Sequence, residues 1–282
     1  MLEGYHACHA IFLSNSRRPL RGLERPLMVG ARGSRTHPGL YAVVRSADSI
    51  QAGLTHNRRS CDIFPIMKII SLNVGLPRLV LRGEDPVSTG IFKEPVAGRV
   101  RLRTLNLDGD RQADLSVHGG PHKAVYLYPS EHYTFWKTEL PEMDLPWGMF
   151  GENFATTGLL ETETSIGDRF RVGSAELMVT QPRMPCYKLG IRFGRTDIIR
   201  RFLASERTGF YFSVSKEGEV EVGDEFELIE KNPTGVKVVE VTRLYGSDRD
   251  NLDLLKRAVA TDALPESWRS YFQERLEKLV GK

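Results

Sequence analysis

Cysteine is scarce in this chain, and its scarcity excludes several chemistries at once. There are three: Cys8 and Cys61 lie near the N-terminus, and Cys186 stands alone thereafter. No CxxC pair occurs, so no structural zinc site or disulfide framework can be assembled. No cysteine set could hold an iron–sulfur cluster, and no glycine-rich dinucleotide fingerprint follows a strand. No run of about twenty apolar residues exists, which excludes a readable transmembrane helix. A net charge of +3 makes no general case for nucleic acid. Thiol usage of this kind suits a reducing compartment, and the chain reads as cytoplasmic.

Lysine is missing altogether from residues 1–66, which carry nine arginines and four acids, about +5, whereas the remainder has 30 basic and 32 acidic residues. The N-terminal part also lacks helical or alternating periodicity. Its arginines follow the short apolar stretch in "GYHACHAIFLSNSRRPL", the wrong order for a secretory signal. Arg-rich, acid-poor composition would suit a mitochondrial transit peptide. Met67, however, opens "MKIISLNVG", a clean start followed at once by a strand. Residues 1–66 are therefore read as upstream sequence from a misassigned start, or as a disordered leader.

From Met67 to Lys231 the pattern is mostly strand. "KIISLNV" is a short apolar run, "GRVRLRTLNLDGD" alternates, and "KAVYLYP" is rich in β-formers. "DRFRVGSAELMVTQP" predicts a hairpin with Gly173-Ser174 at its turn. "TGFYFSVSKEGEVEVGDEFELIE" predicts two or three more strands divided by Gly218 and Gly223. Two helices interrupt them, "PSEHYTFWKTEL" with Ser130 at its N-cap and "GRTDIIRRFLASE". Many short strands with frequent turns predict a mainly β fold: a closed or nearly closed β-barrel with peripheral helices. After "KNPTG" two amphipathic helices follow, the first starting near Ser247 and Asp248, the second with Pro265 in its first turn. Residues 232–282 are thus a small helical C-terminal appendage on a 67–231 barrel domain.

Three stretches could carry chemistry. In "GDRQADLSVHGGPHKAVYLYP", Gly119 and Gly120 permit positive φ, so that consecutive N–H groups can converge on an anion, with His118, His122 and Lys123 adding donors. The same loop also reads as a simple turn, and Pro121 spoils the helix that an HxxxH metal pair requires. In "WGMFGENFATTG", Gly148 and Gly151 make a flexible loop whose Glu152 and Asn153 could hydrogen-bond a polar heterocycle, or merely form a turn. In "RMPCYKLG", Cys186 sits between Arg183 and Lys188. A buried thiol often packs as a small hydrophobe, but nearby cations make a thiolate, which is a nucleophile and a soft metal ligand. A hydrolytic pair of Cys186 with His118 is a further alternative.

Together and in this order, "GDRQADLSVHGGPHKAVYLYP", "GMFGENF" and "IGDRFRVGSAELMVTQPRMPCYKL" resemble the MOSC domain, from about Met67 to Glu230. The helical tail resembles the three-helix extension of the bacterial YiiM-like branch, the hydroxylaminopurine-resistance proteins. That resemblance implies a β-barrel binding a molybdenum cofactor, a molybdopterin in which one protein thiolate joins the dithiolene sulfurs on the metal. Carried onto this chain, Cys186 would be the metal ligand and catalytic residue. His118, Gly119, Gly120 and Lys123 would contact the cofactor, with Asn153 and Arg183 nearby. The implied reaction reduces N-hydroxylated purines and amines to the parent amines. Implied partners are that small-molecule substrate and a separate flavin or iron–sulfur reductase, with a homodimer left open and no membrane or nucleic acid polymer. A module that only carries the cofactor, or a persulfide on Cys186, is the alternative.

Overall fold

The computed structural model describes residues 66–115 and 118–281. The expectation for the leader falls on residues outside these. Twelve strands are described: β1 (Lys68–Val74), β2 (Arg78–Arg82), β3 (Asp85–Thr89), β4 (Glu94–Pro95), β5 (Val100–Leu102), β6 (Val125–Pro129), β7 (Phe154–Thr157), β8 (Arg169–Val172), β9 (Ala175–Pro182), β10 (Phe210–Lys216), β11 (Gly218–Val220) and β12 (Phe226–Glu230). Eight of them form one sheet in the order β12-β8-β9-β10-β6-β7-β1-β4. The predicted β8–β9 hairpin is present, with Val172 opposite Ala175 and Gly173 at positive φ in the two-residue turn. The β6–β7 pair is parallel. A parallel neighbour needs a crossover rather than a tight turn, and helix α1 (Glu131–Glu139) lies in that connection.

The expected barrel does not close by continuous ladders. The seam between β1 and β12 is a single isolated bridge, Lys68 to Glu225, flanked by Ile69 N–H donating to the Asp224 carbonyl at 3.0 Å and Phe226 N–H to Met67 at 2.8 Å. At its other end β1 pairs with two-residue β4 instead. Pro95 there has no N–H with which to extend the ladder. The result is a curled sheet, mainly β, with helices at its periphery. Its concave side is filled by Phe154, Phe170, Phe210, Phe212 and Phe226. Burying each such ring contributes about 1.5–3 kcal/mol.

A second cluster holds the site's wall. Tyr128, Trp136, Phe150 and Phe202 are fully buried, and Trp136 Nε1 donates to the Tyr128 hydroxyl at 2.6 Å. Two more helices, α2 (Tyr187–Phe193) and α3 (Ile198–Ala204), complete it through Leu189, Phe193 and Ile198. The Ser130 cap differs from expectation: its hydroxyl bonds Glu131 rather than a backbone N–H, because its own backbone is already helical.

The C-terminal extension has three helices, α4 (Val238–Tyr245), α5 (Leu252–Val259) and α6 (Glu266–Val280). The residue pattern predicts only the last two. "VVEVTRLY" is rich in β-branched residues, which prefer strands, yet tertiary burial of Val238, Val239, Val241 and Leu244 overrides that preference. Its start is fixed by Glu240, which accepts the Lys237 backbone N–H at 2.7 Å. Helix α5 starts later than Ser247, at an Asn251 cap whose side chain accepts the Leu254 N–H at 3.0 Å. Among the described residues no helix is long and apolar enough to cross a membrane.

Candidate functional site

Cys186 ends the extended segment after β9 and immediately precedes α2, so the turn of chain direction presents its thiol beside the sheet. Its Sγ lies 3.4 Å from Nε2 of His118, which comes from the loop between β5 and β6. Both line a cleft of about 650 Å³, counting space continuous with solvent. Lys93, Arg111, Lys123, Arg183 and Lys188 line it too, and no Asp or Glu is among its described lining residues. The cleft is therefore a concentrated positive field around a thiol, which suits a polyanionic ligand.

Each cation is positioned by a different device. Arg183 is buried, with its guanidinium 5.5 Å from the Tyr126 ring and 5.1 Å from the Phe202 ring. Rings hold the cation without satisfying its donors, and Arg183 Nη1 is buried with no partner among the described residues. Lys93 is buried against Asp110 in an ion pair. Burial pushes the Lys93 ammonium below its usual range, and Asp110 pulls it partly back. Lys123 ends a short 3-10 turn, Pro121–Lys123, whose His122 carbonyl accepts from Thr180 Oγ1 at 2.7 Å and Gln181 Nε2 at 3.2 Å.

His118 is held down to about 4, first by burial and then by the cations Lys188 and Lys123, against the pull of Asp114. Its Nδ1 is buried without a partner among the described residues. A hydrolytic Cys–His pair needs an imidazole that takes the thiol proton near neutrality, and the burial and cations that lower His118 work against that. Neutral His118 can instead donate to or accept from a bound group. Two orphaned buried nitrogens, a thiol and the lining cations other than the Asp110-paired Lys93 fit a phosphate-bearing, metal-bound organic cofactor: the nitrogens and cations would take its anionic groups, and the thiol would take the metal.

The other predicted residues separate into two groups. Asn153 borders the cleft, but its amide serves the scaffold. Its Oδ1 accepts the Tyr126 N–H at 3.1 Å, and its Nδ2 donates to Asp110 at 2.9 Å and to the Asn73 carbonyl at 3.3 Å. Gly119 and Gly120 do not line the cleft. Gly120 has φ +92°, and a Cβ on Gly119 would press into Leu115 at 2.7 Å, so these glycines shape the loop. Glu152 is turned away from the cleft. Its carboxylate takes the N–H groups of Gly148 (2.7 Å) and Phe150 (3.0 Å) and the Tyr133 hydroxyl, so the expected flexible loop is pinned. Gly151 is required where it stands, at φ +81° and with Ile91 2.8 Å from a would-be Cβ.

Residue reasoning missed Lys93 and Arg111 as members of the site. Lys93 has no motif around it, Arg111 lies inside the "GDRQADLSVHGG" stretch without standing out from it, and only the fold brings both to Cys186.

A curled, mainly β domain that opens a cationic thiol cleft, with a three-helix extension behind it, defines the class. Residues 114–227 match the MOSC domain, and residues 238–279 match the YiiM-like 3-alpha helix domain. The uncharacterized protein YflK of Bacillus subtilis is 40% identical over 212 residues, 75% of this chain and 96% of that one. The crystal structure of YiiM from Geobacillus stearothermophilus matches with a TM-score of 0.63 at 33% identity, covering 74% of this chain and 99% of that one. A protein of Gibberella moniliformis named Reductase is 34% identical over 172 residues, 60% of this chain and 30% of its own length. The chain belongs to the MOSC-domain family, in the YiiM-like branch that carries the three-helix domain.

Proposed function

We propose that this protein is a molybdenum-cofactor-dependent reductase that converts N-hydroxylated purines and related amines to the parent amines. The observation that carries the reading is the Cys186 thiol set in a cleft lined by five cations and no carboxylate. Membership of the MOSC family and the likeness to a protein named Reductase support it. Cys186 would ligate the metal, while Arg183, Lys123, Lys188 and His118 would hold the cofactor's anionic and polar groups. When bound, molybdenum supplies two-electron redox chemistry and an affinity for the substrate oxygen.

The net change is R–NHOH with two electrons and two protons giving R–NH2 and water. The electrons come from a separate flavin or iron–sulfur reductase. That protein of Gibberella is matched over only 30% of its length, leaving room there for further modules. The chain's own residues bind and orient. The ring-held Arg183 and the pinned 148–152 loop give a cleft that does not have to reorganise when a ligand enters.

The test is metal analysis of the full chain made in a cofactor-competent host, followed by reduction of hydroxylaminopurine with an artificial electron donor. About one molybdenum per chain with turnover is expected. Molybdenum without turnover would favour the carrier reading, and turnover without molybdenum would overturn both.

A further inference from the structure

The row of cations does not end at the cleft. Lys188, which lines it, and Arg192 are four residues apart on α2, so their side chains share one helix face about 5–6 Å apart at Cβ. Arg192 reaches over the half-buried ring of Phe92, with its guanidinium carbon 4.9 Å from the centroid. Arg78, from the exposed strand β2, lies over the same ring at 3.8 Å. Phe92 is itself the link to the cleft, because its neighbours Ile91 and Lys93 both line it.

This pair lacks what normally accompanies arginines this close. Among the described residues, neither guanidinium has a hydrogen bond or ion pair to a carboxylate, and Arg192 Nε is buried with no partner. Burial and the repulsion of Arg78 hold the Arg192 guanidinium below its usual range, partly offset by Glu152, Tyr133 and Glu94. One arginine on a ring gains a modest cation–π attraction, and a second one on that ring must also overcome like-charge repulsion. Among the described residues, arginines without an acid partner do occur singly, as at exposed Arg82 and Arg200, whereas others find acids: Arg171 pairs with Glu227 at 2.7 Å and half-buried Arg169 with Glu230 at 2.8 Å. A guanidinium pair left without a counter-ion, one helical turn beyond a thiol cleft, is a place for an anion supplied from outside.

We infer that Arg78 and Arg192, stacked on Phe92 at the outer end of the cleft, form a second anion subsite that takes a phosphate ester. Planar guanidinium forks match phosphate oxygens, and the ring fixes their orientation. The phosphate has two sources, a nucleotide tail on the cofactor or the 5′-phosphate of an N-hydroxylated nucleotide. Those sources rest on the proposed function; the subsite itself does not.

The experiment is calorimetric titration of inorganic pyrophosphate into the full chain, alongside Arg78→Gln, Arg192→Gln and the paired control Arg171→Gln. Each of the first two should lose one equivalent of binding or weaken it by about tenfold, the scale of one charge-assisted contact. The control should match the parent chain. Arg78 is exposed, so its variant keeps the test valid if Arg192→Gln folds poorly. Identical titrations for all four chains, or an equal loss in Arg171→Gln, overturn the subsite.

The sources then separate on the molybdenum-loaded protein. Nucleotide released by acid from the parent chain, and depleted in the two variants, assigns the phosphate to the cofactor. A raised KM for N-hydroxyadenosine monophosphate, with KM for the free base and kcat unchanged, assigns it to the substrate. Pyrophosphate binding lost in the variants, with no molybdenum and no reduction in any chain, supports the subsite and overturns the proposed function.

Discussion

Cys186 Sγ and His118 Nε2 stand 3.4 Å apart although 68 residues separate them in the chain. The loop leading into β6 and the segment following β9, strands separated only by β10, converge there, and the imidazole is kept neutral by burial and by Lys188 and Lys123. A neutral imidazole leaves the thiol's sulfur available to a metal.

Replacing that sulfur tests the role directly. Cys186→Ser exchanges a soft, strongly donating thiolate for a hard hydroxyl at nearly constant volume. The fold should survive, because the residue is only partly buried. Hydroxylaminopurine reduction per bound molybdenum should fall by orders of magnitude, since the ligand tunes the metal's electronics. Near-parental turnover per molybdenum would remove Cys186 from the chemistry.

Lys123→Glu reverses a charge inside the cleft. A carboxylate beside the anionic groups of the cofactor opposes binding, so the purified variant should retain several-fold less molybdenum and organic phosphate. Unchanged loading would mean that the other cations suffice.

The 148–152 loop should fail at Glu152. In Glu152→Ala the N–H groups of Gly148 and Phe150 and the hydroxyl of Tyr133 lose a buried acceptor. At about 1–3 kcal/mol for each group left unsatisfied, the melting temperature should drop by several degrees or more. Burial holds this carboxyl above its usual range. The folded state therefore binds its proton more tightly than the unfolded state. The contribution is complete below the unfolded carboxyl value and declines as pH rises through the raised one. The deficit of Glu152→Ala should accordingly be larger at about pH 4 than at about pH 8, as paired thermal melts would show.

Strand-forming runs and their glycine turns were legible because alternation is a local property. The Gly173-Ser174 hairpin, the three strands from Phe210 to Glu230 and the lone thiol could all be read off the chain. Helix α4 could not, since its valines become helical only by packing into the core. Nor could Lys93 and Arg111, whose place in the site depends on ladders joining distant segments. Glu152 shows the converse limit. Its type and its motif left ligand binding and a plain turn both open, and only its hydrogen bonds reveal that it serves its own loop. Residue type and spacing identify groups able to do chemistry, whereas the direction each side chain faces is a tertiary fact.

The joint between the helical extension and the sheet supplies the last prediction. Trp268, buried on α6, donates its indole N–H to Gln181 Oε1 at 2.6 Å, and Gln181 Nε2 donates on to the His122 carbonyl at 3.2 Å. That carbonyl belongs to the 3-10 turn that carries Lys123 into the cleft. Trp268→Phe keeps most of the ring but removes the donor, leaving a buried amide oxygen without it, at a cost of about 1–3 kcal/mol. Gln181→Leu removes the amide itself, so the double variant should lose less than the sum of the two single losses. A double-mutant cycle read by urea unfolding should give a coupling of about 1 kcal/mol or more, the range for residues in direct contact. Strictly additive losses would mean that this bond contributes nothing to holding the extension on the sheet.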